Sequence, residues 1–387
     1  MRVLVTASPG LGHMLPMVSI SWALRAAGHE VLLAMAGSNA QHVPMLAASG
    51  LHVVETQPYE SFVRLMNAAR DGMDIKAIQK MMREAARGGD SEKLTSFGVR
   101  LFAPQSDIVA DNVVAVADEW RPDLVVHSPM EGAGPLAAAK HGVPAVEQAF
   151  GLHSSETAHA QIAEVLADTY RRHGVDGPPS RHALLNVAPP SMGSPDAGWP
   201  MRYVPFNGGG QLPDWLLRTP DRPRVIVTLG TVIPGFVGLG PVRWLTDVAG
   251  DLDAEFVVTL DDAAAEELGA LPGNVRPVSY TPLNALLATS TAIVHHGGSG
   301  STMTSLAMGV PQLVVPQGAD QFNNAHEVAK RGAGFEVDTE ISPVGPEDLS
   351  RLLTDASLAA AAAEVKAEIA ARPAPAELVS RLEELVG

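Results

Sequence analysis

The sequence predicts an α/β protein built from two doubly wound, Rossmann-like domains that face each other across a cleft. Three observations point to this. The chain has 387 residues, more than one core usually serves. Short apolar runs alternate with helix-length segments in both halves, the pattern of parallel strands joined by helical crossovers. A stretch rich in proline and glycine separates the two series.

The elements follow in order. Val3–Ala7 is a short apolar run ending in Ser8-Pro9-Gly10-Leu11-Gly12-His13. Pro16–Ala27 reads as a helix closed by Gly28, and Glu30–Ala36 as the next strand. Ser61–Arg87 reads as an irregular helical region. Ala115–Trp120 ends a helix, Leu124–His127 is a strand, Ala133–His141 a helix and Ala145–Gln148 a strand. These strands are apolar without alternation, as expected where helices cover both faces of a sheet. From Met192 to Arg224 the periodicity stops. Gly208-Gly209-Gly210 and Pro195, Pro200, Pro205, Pro213, Pro220 and Pro223 fall here, which suits an interdomain linker. Val225–Leu229, Phe256–Leu260, Ala292–His295 and Gln312–Val315 are the strands of a second series. Ser357–Ala371 is an alanine-rich helix and Pro375–Val386 a last one. The expected domains are 1–205 and 206–372, with 373–387 folding back on the first. Ligands of such sheets bind beyond the carboxyl ends of the strands, so the cleft between the halves is the expected site.

Composition excludes several classes. The chain is 46% hydrophobic and 18% charged, the balance of a globular protein. Lys plus Arg is 27 against 43 for Asp plus Glu, a formal net charge of −16. That argues against a nucleic acid partner, although backbone groups could still hold a small anion. The absence of cysteine removes disulfides and thiolate zinc sites. No apolar run reaches the roughly 18 to 20 residues that span a bilayer. Nothing resembles a basic, apolar secretory leader either. The reading is a soluble, cytoplasmic protein without a membrane partner; a homodimer is left open.

The strongest local signal is Val294-His295-His296-Gly297-Gly298-Ser299-Gly300-Ser301. A strand ends, glycines follow and a helix begins. Glycines let backbone N–H groups approach a ligand closely, and the helix N-terminus adds its positive dipole end. Together they suit a pyrophosphate, although a tight strand-to-helix turn with no ligand has the same pattern. His295 and His296 are adjacent at a strand end and point to opposite faces, so they are poorly placed to share one metal. Further on, Pro316-Gln317-Gly318-Ala319-Asp320-Gln321 follows another strand. Asp320 accepts hydrogen bonds and Gln321 both accepts and donates, the inventory needed to hold sugar hydroxyls.

His295–Gln321 resembles the donor signature of the GT-B glycosyltransferases of family 1: an HHGG-x-G-S/T turn, a G-V/I-P segment and a terminal D-Q. The likeness is to the actinobacterial enzymes that decorate polyketide and other antibiotics, including the calicheamicin-pathway glycosyltransferases. It extends to the opening RVLVTASPGLGH, RPDLVVH at Arg121–His127, HGVPAV at His141–Val146 and Gly230-Thr231. The resemblance implies a GT-B fold and a nucleotide diphosphate sugar donor, linked to thymidine or uridine. His296 and Ser301 would contact the phosphates, with backbone N–H groups of Gly297, Gly298, Ser299 and Gly300. Gly12 and Thr231 would approach the same group. Tyr280-Thr281-Pro282 would lie against the base, and Asp320 and Gln321 would bind the transferred sugar. No metal and no cofactor are implied, because helix dipole and side chains offset the leaving-group charge.

The same resemblance makes His13 the base that deprotonates the acceptor hydroxyl for inverting displacement at the anomeric carbon. An imidazole with an ordinary pKa near 6.5 suits that task; a helix-capping histidine is the plainer alternative. Many relatives place an Asp directly after the LVVH-type strand to orient this histidine. Here Ser128 stands there, with Glu131 three residues later. Either Ser128 or Glu131 substitutes, or His13 works without a carboxylate, or the acceptor is acidic enough to need little help, as a phenol or enol would be.

Twelve of the 14 methionines precede residue 202. Met66, Met73, Met81 and Met82, with Phe62, lie in the region that in the resembled family walls the acceptor pocket. Methionine adapts to a large flat aglycone, but also fills cores. Phe150 and the loop Gly151–Glu156 follow another strand and could line the same pocket. The expected acceptor is an aromatic or polyketide-like small molecule. A nicotinamide-dependent dehydrogenase is disfavoured, because Leu15 replaces the third glycine of the Gly10-x-Gly12 fingerprint and no acidic residue ends the second strand. A non-catalytic nucleotide-sugar-binding helper and a nucleotide-sugar epimerase are the remaining alternatives.

Overall fold

A computed structural model describes residues 1–37, 39–70, 75–88, 91–155, 157–230, 239–244, 248–260, 262–318, 320–339 and 342–387. The side chains of 66, 69–70, 75–79, 86–87, 91–94, 241 and 262 fall outside that description.

The first half is a parallel sheet of β1 (Arg2–Ala7), β2 (Glu30–Ala36), β3 (His52–Gln57), β4 (Leu124–His127), β5 (Ala145–Gln148), β6 (His182–Asn186) and β7 (Trp199–Pro200). Their order is β3-β2-β1-β4-β5-β6-β7. The second half repeats the design with β8 (Arg224–Thr228), β9 (Glu255–Thr259), β10 (Val275–Val278), β11 (Ala292–His295), β12 (Gln312–Val314) and β13 (Gly334–Glu336). Its order is β10-β9-β8-β11-β12-β13. Both are doubly wound, with the order reversing between β1 and β4 and between β8 and β11. Thr6 pairs with His127 across the first reversal and Thr228 with His295 across the second.

Alternation across each strand fills two cores per sheet. In β1, Val3 and Val5 join one cluster while Leu4 joins the other. In β8, Val225 and Val227 point to one side and Ile226 to the other. One of the clusters does not stop at the half-way line. Leu152, Val187, Met192 and Met201 pack in the same buried group as Met303, Leu306, Ala325 and Val328. The two halves therefore meet through an apolar contact.

The segment after Ala371 packs on the first half. Leu378, Val379 and Leu382 enter the cluster that contains Ile20 and Leu24. His29 meets Glu383 at 3.0 Å, and Arg381 lies over the Trp199 ring at 3.8 Å.

The fold class is as the sequence predicted, with local departures. The irregular helical region is the helices Tyr59–Arg70 and Ile75–Gly88, followed by a 30-residue helix, Ser91–Trp120, with Pro104 inside it. Only the last turn of that helix was legible, because an internal proline reads as a break. The first half also runs past Met192: β7 adds an edge strand, and Met192, Met201 and Tyr203 are buried. Four further strands escaped the sequence reading. β10 contains Arg276 and Pro277 at a sheet edge, β13 has three residues, β3 is exposed at an edge, and β6 has polar residues at both ends. No helix among the described residues is long and apolar enough to cross a membrane.

Candidate active site

At the second reversal, β11 delivers His295 and His296 in very different roles. The Gly297 N–H donates to His295 Nδ1 at 3.0 Å, so this ring carries its proton on Nε2 and donates it to Gln312 Oε1 at 2.8 Å. Burial, then the neighbouring His296 ring, hold its pKa down to about 3, partly offset by Gln312. His295 is thus a neutral strut that shapes the glycine turn. The two rings stand 6.3 Å apart at 88°.

His296 follows, buried inside the turn. Its ring is wedged between Gly230 and Gly298: a Cβ at Gly230 would come within 2.5 Å of Cε1, and one at Gly298 within 2.5 Å of Nε2. Gly230 also has φ of 70°, where L side chains are strained. Burial lowers the His296 pKa to about 4, offset a little by the Thr228 backbone. Its buried Nδ1 has no hydrogen-bond partner among the described residues. Beyond it, Gly298 caps the helix Ser299–Met308. The first N–H groups of any helix lack intrahelical acceptors, so this end is suited to an anion.

Ser299 Oγ donates to Asp320 Oδ2 at 2.6 Å. Asn324, which the sequence reading missed, binds Asp320 Oδ2 at 3.0 Å, Ser299 Oγ at 3.3 Å and the Gly297 carbonyl at 2.8 Å. Only its place one helical turn after Asp320 could have signalled it. Gln321 Oε1 accepts from the N–H groups of Gln317 and Gly318. Gln321 is buried, so its amide can offer a ligand only the Nε2 donor. Tyr280 is half exposed and donates to the Asn207 carbonyl at 2.7 Å. Thr281 Oγ1 donates to the Ser279 carbonyl at 3.1 Å. Thr231 lies outside the described residues.

At the first reversal, Gly10 takes φ of 138° and begins the short helix Leu11–Met14 that carries Gly12 and His13. Gly12 is exposed. The His13 ring sits between two aromatic rings, Phe102 at 4.9 Å and Phe150 at 4.7 Å. Burial lowers its pKa to about 4, with a small rise from the Pro129 backbone. Its Nδ1 is buried without a hydrogen-bond partner among the described residues. Phe102 comes from the long helix whose path was not legible, two residues before Pro104.

The candidates to orient His13 are otherwise engaged. Ser128 Oγ accepts from the Ser8 N–H at 3.2 Å and donates to the Pro129 carbonyl at 3.3 Å. Glu131 accepts from Thr6 Oγ1 at 2.7 Å and from the N–H groups of Ala133 and Gly134, which start a helix. No hydrogen bond from either to His13 is present among the described residues. The ring instead packs against Phe102, tilted at 50°, and edge-on to Phe150 at 72°, beside the Pro129 backbone.

The acceptor-side residues sort differently from expectation. Phe150 lies against His13. Phe62 is 3% exposed, packed in the core with Val99 and Val109, so it supports a wall rather than offering a surface. Met81 packs with Phe97 against Met82 and Phe322, and Phe322 belongs to the second half. Arg83 stacks over the same Phe322 ring at 5.0 Å and pairs with Asp338 at 3.2 Å. This part of the methionine-rich region grips the other half of the molecule. The Met66 side chain, Met73 and Glu156 lie outside the described residues.

The loop after β5 joins the two centres. Phe150 touches His13, and a Cβ at the next residue, Gly151, would come within 2.5 Å of Ser299 Oγ. This loop thus bridges the partly exposed His13 ring and the N-terminal end of the Ser299–Met308 helix.

Comparison with known proteins agrees with this geometry. Residues 22–230 match the family described as erythromycin biosynthesis protein CIII-like, N-terminal domain, and residues 243–385 its C-terminal domain. Elloramycin glycosyltransferase ElmGT of Streptomyces olivaceus is 39% identical, covering 100% of this chain and 98% of its own. The glycosyltransferase SnogD from Streptomyces nogalater superposes with a TM-score of 0.81 at 39% identity, covering 100% of this chain and 99% of its own. SsfS6 of Streptomyces sp. SF2575, complexed with thymidine diphosphate, gives 0.80 at 31% identity over 99% of both chains.

Proposed function

Given that the chain belongs to the erythromycin biosynthesis protein CIII-like family and is a glycosyltransferase, we propose that it transfers a deoxysugar from thymidine diphosphate to a hydrophobic aglycone. Transfer is inverting and needs no metal ion. His13 takes the proton of the acceptor hydroxyl as its oxygen attacks the anomeric carbon. The bond from that carbon to the diphosphate breaks, and the diphosphate leaves with the electron pair. His296 and the N–H groups opening the Ser299–Met308 helix receive its charge, where preorganised donors act most strongly. Asp320 and the Gln321 amide donor hold the sugar; Asn324 and Ser299 keep Asp320 in place.

The observation that carries this reading is the His13–Phe150–Gly151–Ser299 contact, which sets a neutral imidazole against an anion-binding helix end. The thymidine diphosphate bound by the structural relative SsfS6 supports the donor class. A base with a pKa of about 4 and no carboxylate partner is weak. It fits an acidic hydroxyl, a phenol or enol, better than an aliphatic alcohol. Membership of a glycosyltransferase family sets aside the helper and epimerase alternatives.

The test pairs thymidine diphosphate deoxysugars with a panel of aromatic and polyketide aglycones, read by mass spectrometry. The His13→Ala variant should lose transfer by ~10²–10⁴-fold while calorimetry shows unchanged thymidine diphosphate binding. Undiminished turnover in His13→Ala would refute the base assignment.

A further inference from the structure

Beside the carboxyl end of β4, three side chains with no part in the proposed transfer reaction converge. His127 ends β4, Glu147 lies in β5 and His182 opens β6. One ligand atom from each lies within 4.8 Å of the others. His127 is 0% and Glu147 2% exposed, while His182 is partly exposed.

Hydrogen bonding fixes what these groups offer. His127 Nδ1 lies 3.0 Å from the Ser128 carbonyl. A carbonyl can only accept, so Nδ1 carries the proton and Nε2 presents a lone pair. That Nε2 faces His182 Nε2 at 3.3 Å. The His182 ring is set by stacking on His159, with centroids 3.8 Å apart and planes at 13°. The Glu147 carboxylate has no hydrogen bond or ion pair among the described residues. A buried carboxylate without a partner is costly, and a hydrogen bond between the two histidines does nothing to relieve it.

We propose that His127, Glu147 and His182 form a binding site for one zinc ion. Two imidazoles and a carboxylate are a common zinc set, and ligand distances of about 2.0–2.1 Å place tetrahedral donors about 3.3 Å apart. The Nε2 to Nε2 separation has that length. The Nδ1–H bond from His127 to a backbone carbonyl is the orientation that metal-bound histidines require of their other nitrogen. The doubly charged ion gives the buried carboxylate its counter-charge, and the exposed edge of His182 gives it an entry route. Water completes the coordination. The ion ties β4, β5 and β6 together just before Ser128-Pro129-Met130, the loop behind His13. It takes no step in sugar transfer, so the proposal stands or falls independently of the assigned reaction.

The experiment uses tag-free, full-length protein stripped with chelator, and Zn²⁺ or Co²⁺ alone as probe. One equivalent of Zn²⁺ should bind and raise Tm. Co²⁺ should give the intense visible bands of a tetrahedral site, displaced by Zn²⁺. His182→Gln, at the exposed edge, and Glu147→Gln should each weaken Zn²⁺ binding and abolish the Tm shift, because each removes one of three protein ligands. Absence of a tetrahedral Co²⁺ spectrum in the native chain overturns the proposal, and needs no variant to fold. Binding that survives both substitutions overturns it as well, because the ion then sits elsewhere.

Discussion

Gly298→Ala isolates the contribution of His296 to donor binding. Gly298 has φ of −60° and ψ of 144°, a conformation open to any residue, so alanine adds no backbone strain there. Its Cβ would, however, fall 2.5 Å from His296 Nε2 and 3.2 Å from Cε1. Such a contact cannot persist, and the ring must leave its position between Gly230 and Gly298. The diphosphate then loses one hydrogen bond to a charged group, worth about 1.5–3 kcal/mol, or roughly ten- to hundred-fold in Kd. Calorimetric titration with thymidine diphosphate measures this directly. A double-mutant cycle with His296→Ala gives the sharper assay. If the alanine acts by moving the ring, it should cost almost nothing once the ring is gone. An unchanged Kd in Gly298→Ala, or the same loss in both backgrounds, refutes the reasoning.

Three further outcomes follow from burial. Because burial holds His13 down to about 4, the acid limb of kcat/KM should fall near that value and not near 6.5; in kcat the bound diphosphate's negative charge should move the limb upward. Rates measured across the acid range decide it, and a kcat/KM limb near 6.5 counts against the placement of His13. His295 and His296, lowered to about 3 and about 4, leave the unfolded chain binding more protons below its ordinary histidine pKa. Their stability contribution is full above about pH 6.5 and is lost as pH falls, each costing about 1.4 kcal/mol by pH 5.5; His296→Gln should remove its share of the change in urea stability between pH 7.5 and 5.5, and a change identical to the native chain's would contradict this. Leu152→Ala empties a fully buried position in the cluster shared by both halves and should cost about 2–5 kcal/mol in urea unfolding, a loss below about 1 kcal/mol arguing that the contact between halves is loose.

The legible and illegible parts of the molecule divide on a physical line. The glycine turn is readable because its pattern is local. One strand end, three glycines and a helix start lie within a few residues, and no distant partner is needed to recognise them. His13 is readable for the same reason. What packs against His13 is not local. Phe102 arrives from the Ser91–Trp120 helix, whose internal Pro104 hides its continuity, and no spacing rule connects it to His13. The absence of the family's Asp was visible at Ser128, but the commitment of Ser128 to Ser8 and of Glu131 to a helix start could only come from coordinates. The core position of Phe62 and the packing of Met81 beside Phe322 were not legible, because an apolar residue on a surface helix looks the same whether it faces a ligand, the core or another domain.

The two sheet reversals carry the same pair, Thr6 opposite His127 and Thr228 opposite His295, and they use the histidine oppositely. In the second half a backbone N–H donates to His295 Nδ1, leaving Nε2–H to be absorbed by Gln312. That ring is spent on shaping the glycine turn, and the next residue, His296, is the one proposed to meet the diphosphate. In the first half a backbone carbonyl accepts from His127 Nδ1–H, so Nε2 is left with a lone pair and faces His182 and Glu147. No glycine turn forms there; Ser128-Pro129 follows instead, and the ligand-facing histidine comes from the other strand of the reversal, as His13 after β1. On the proposed roles, one topology places its working imidazole on opposite sides of equivalent crevices. Under those roles, donor and acceptor chemistry approach each other across the cleft through Phe150, Gly151 and Ser299 rather than lying side by side on one sheet.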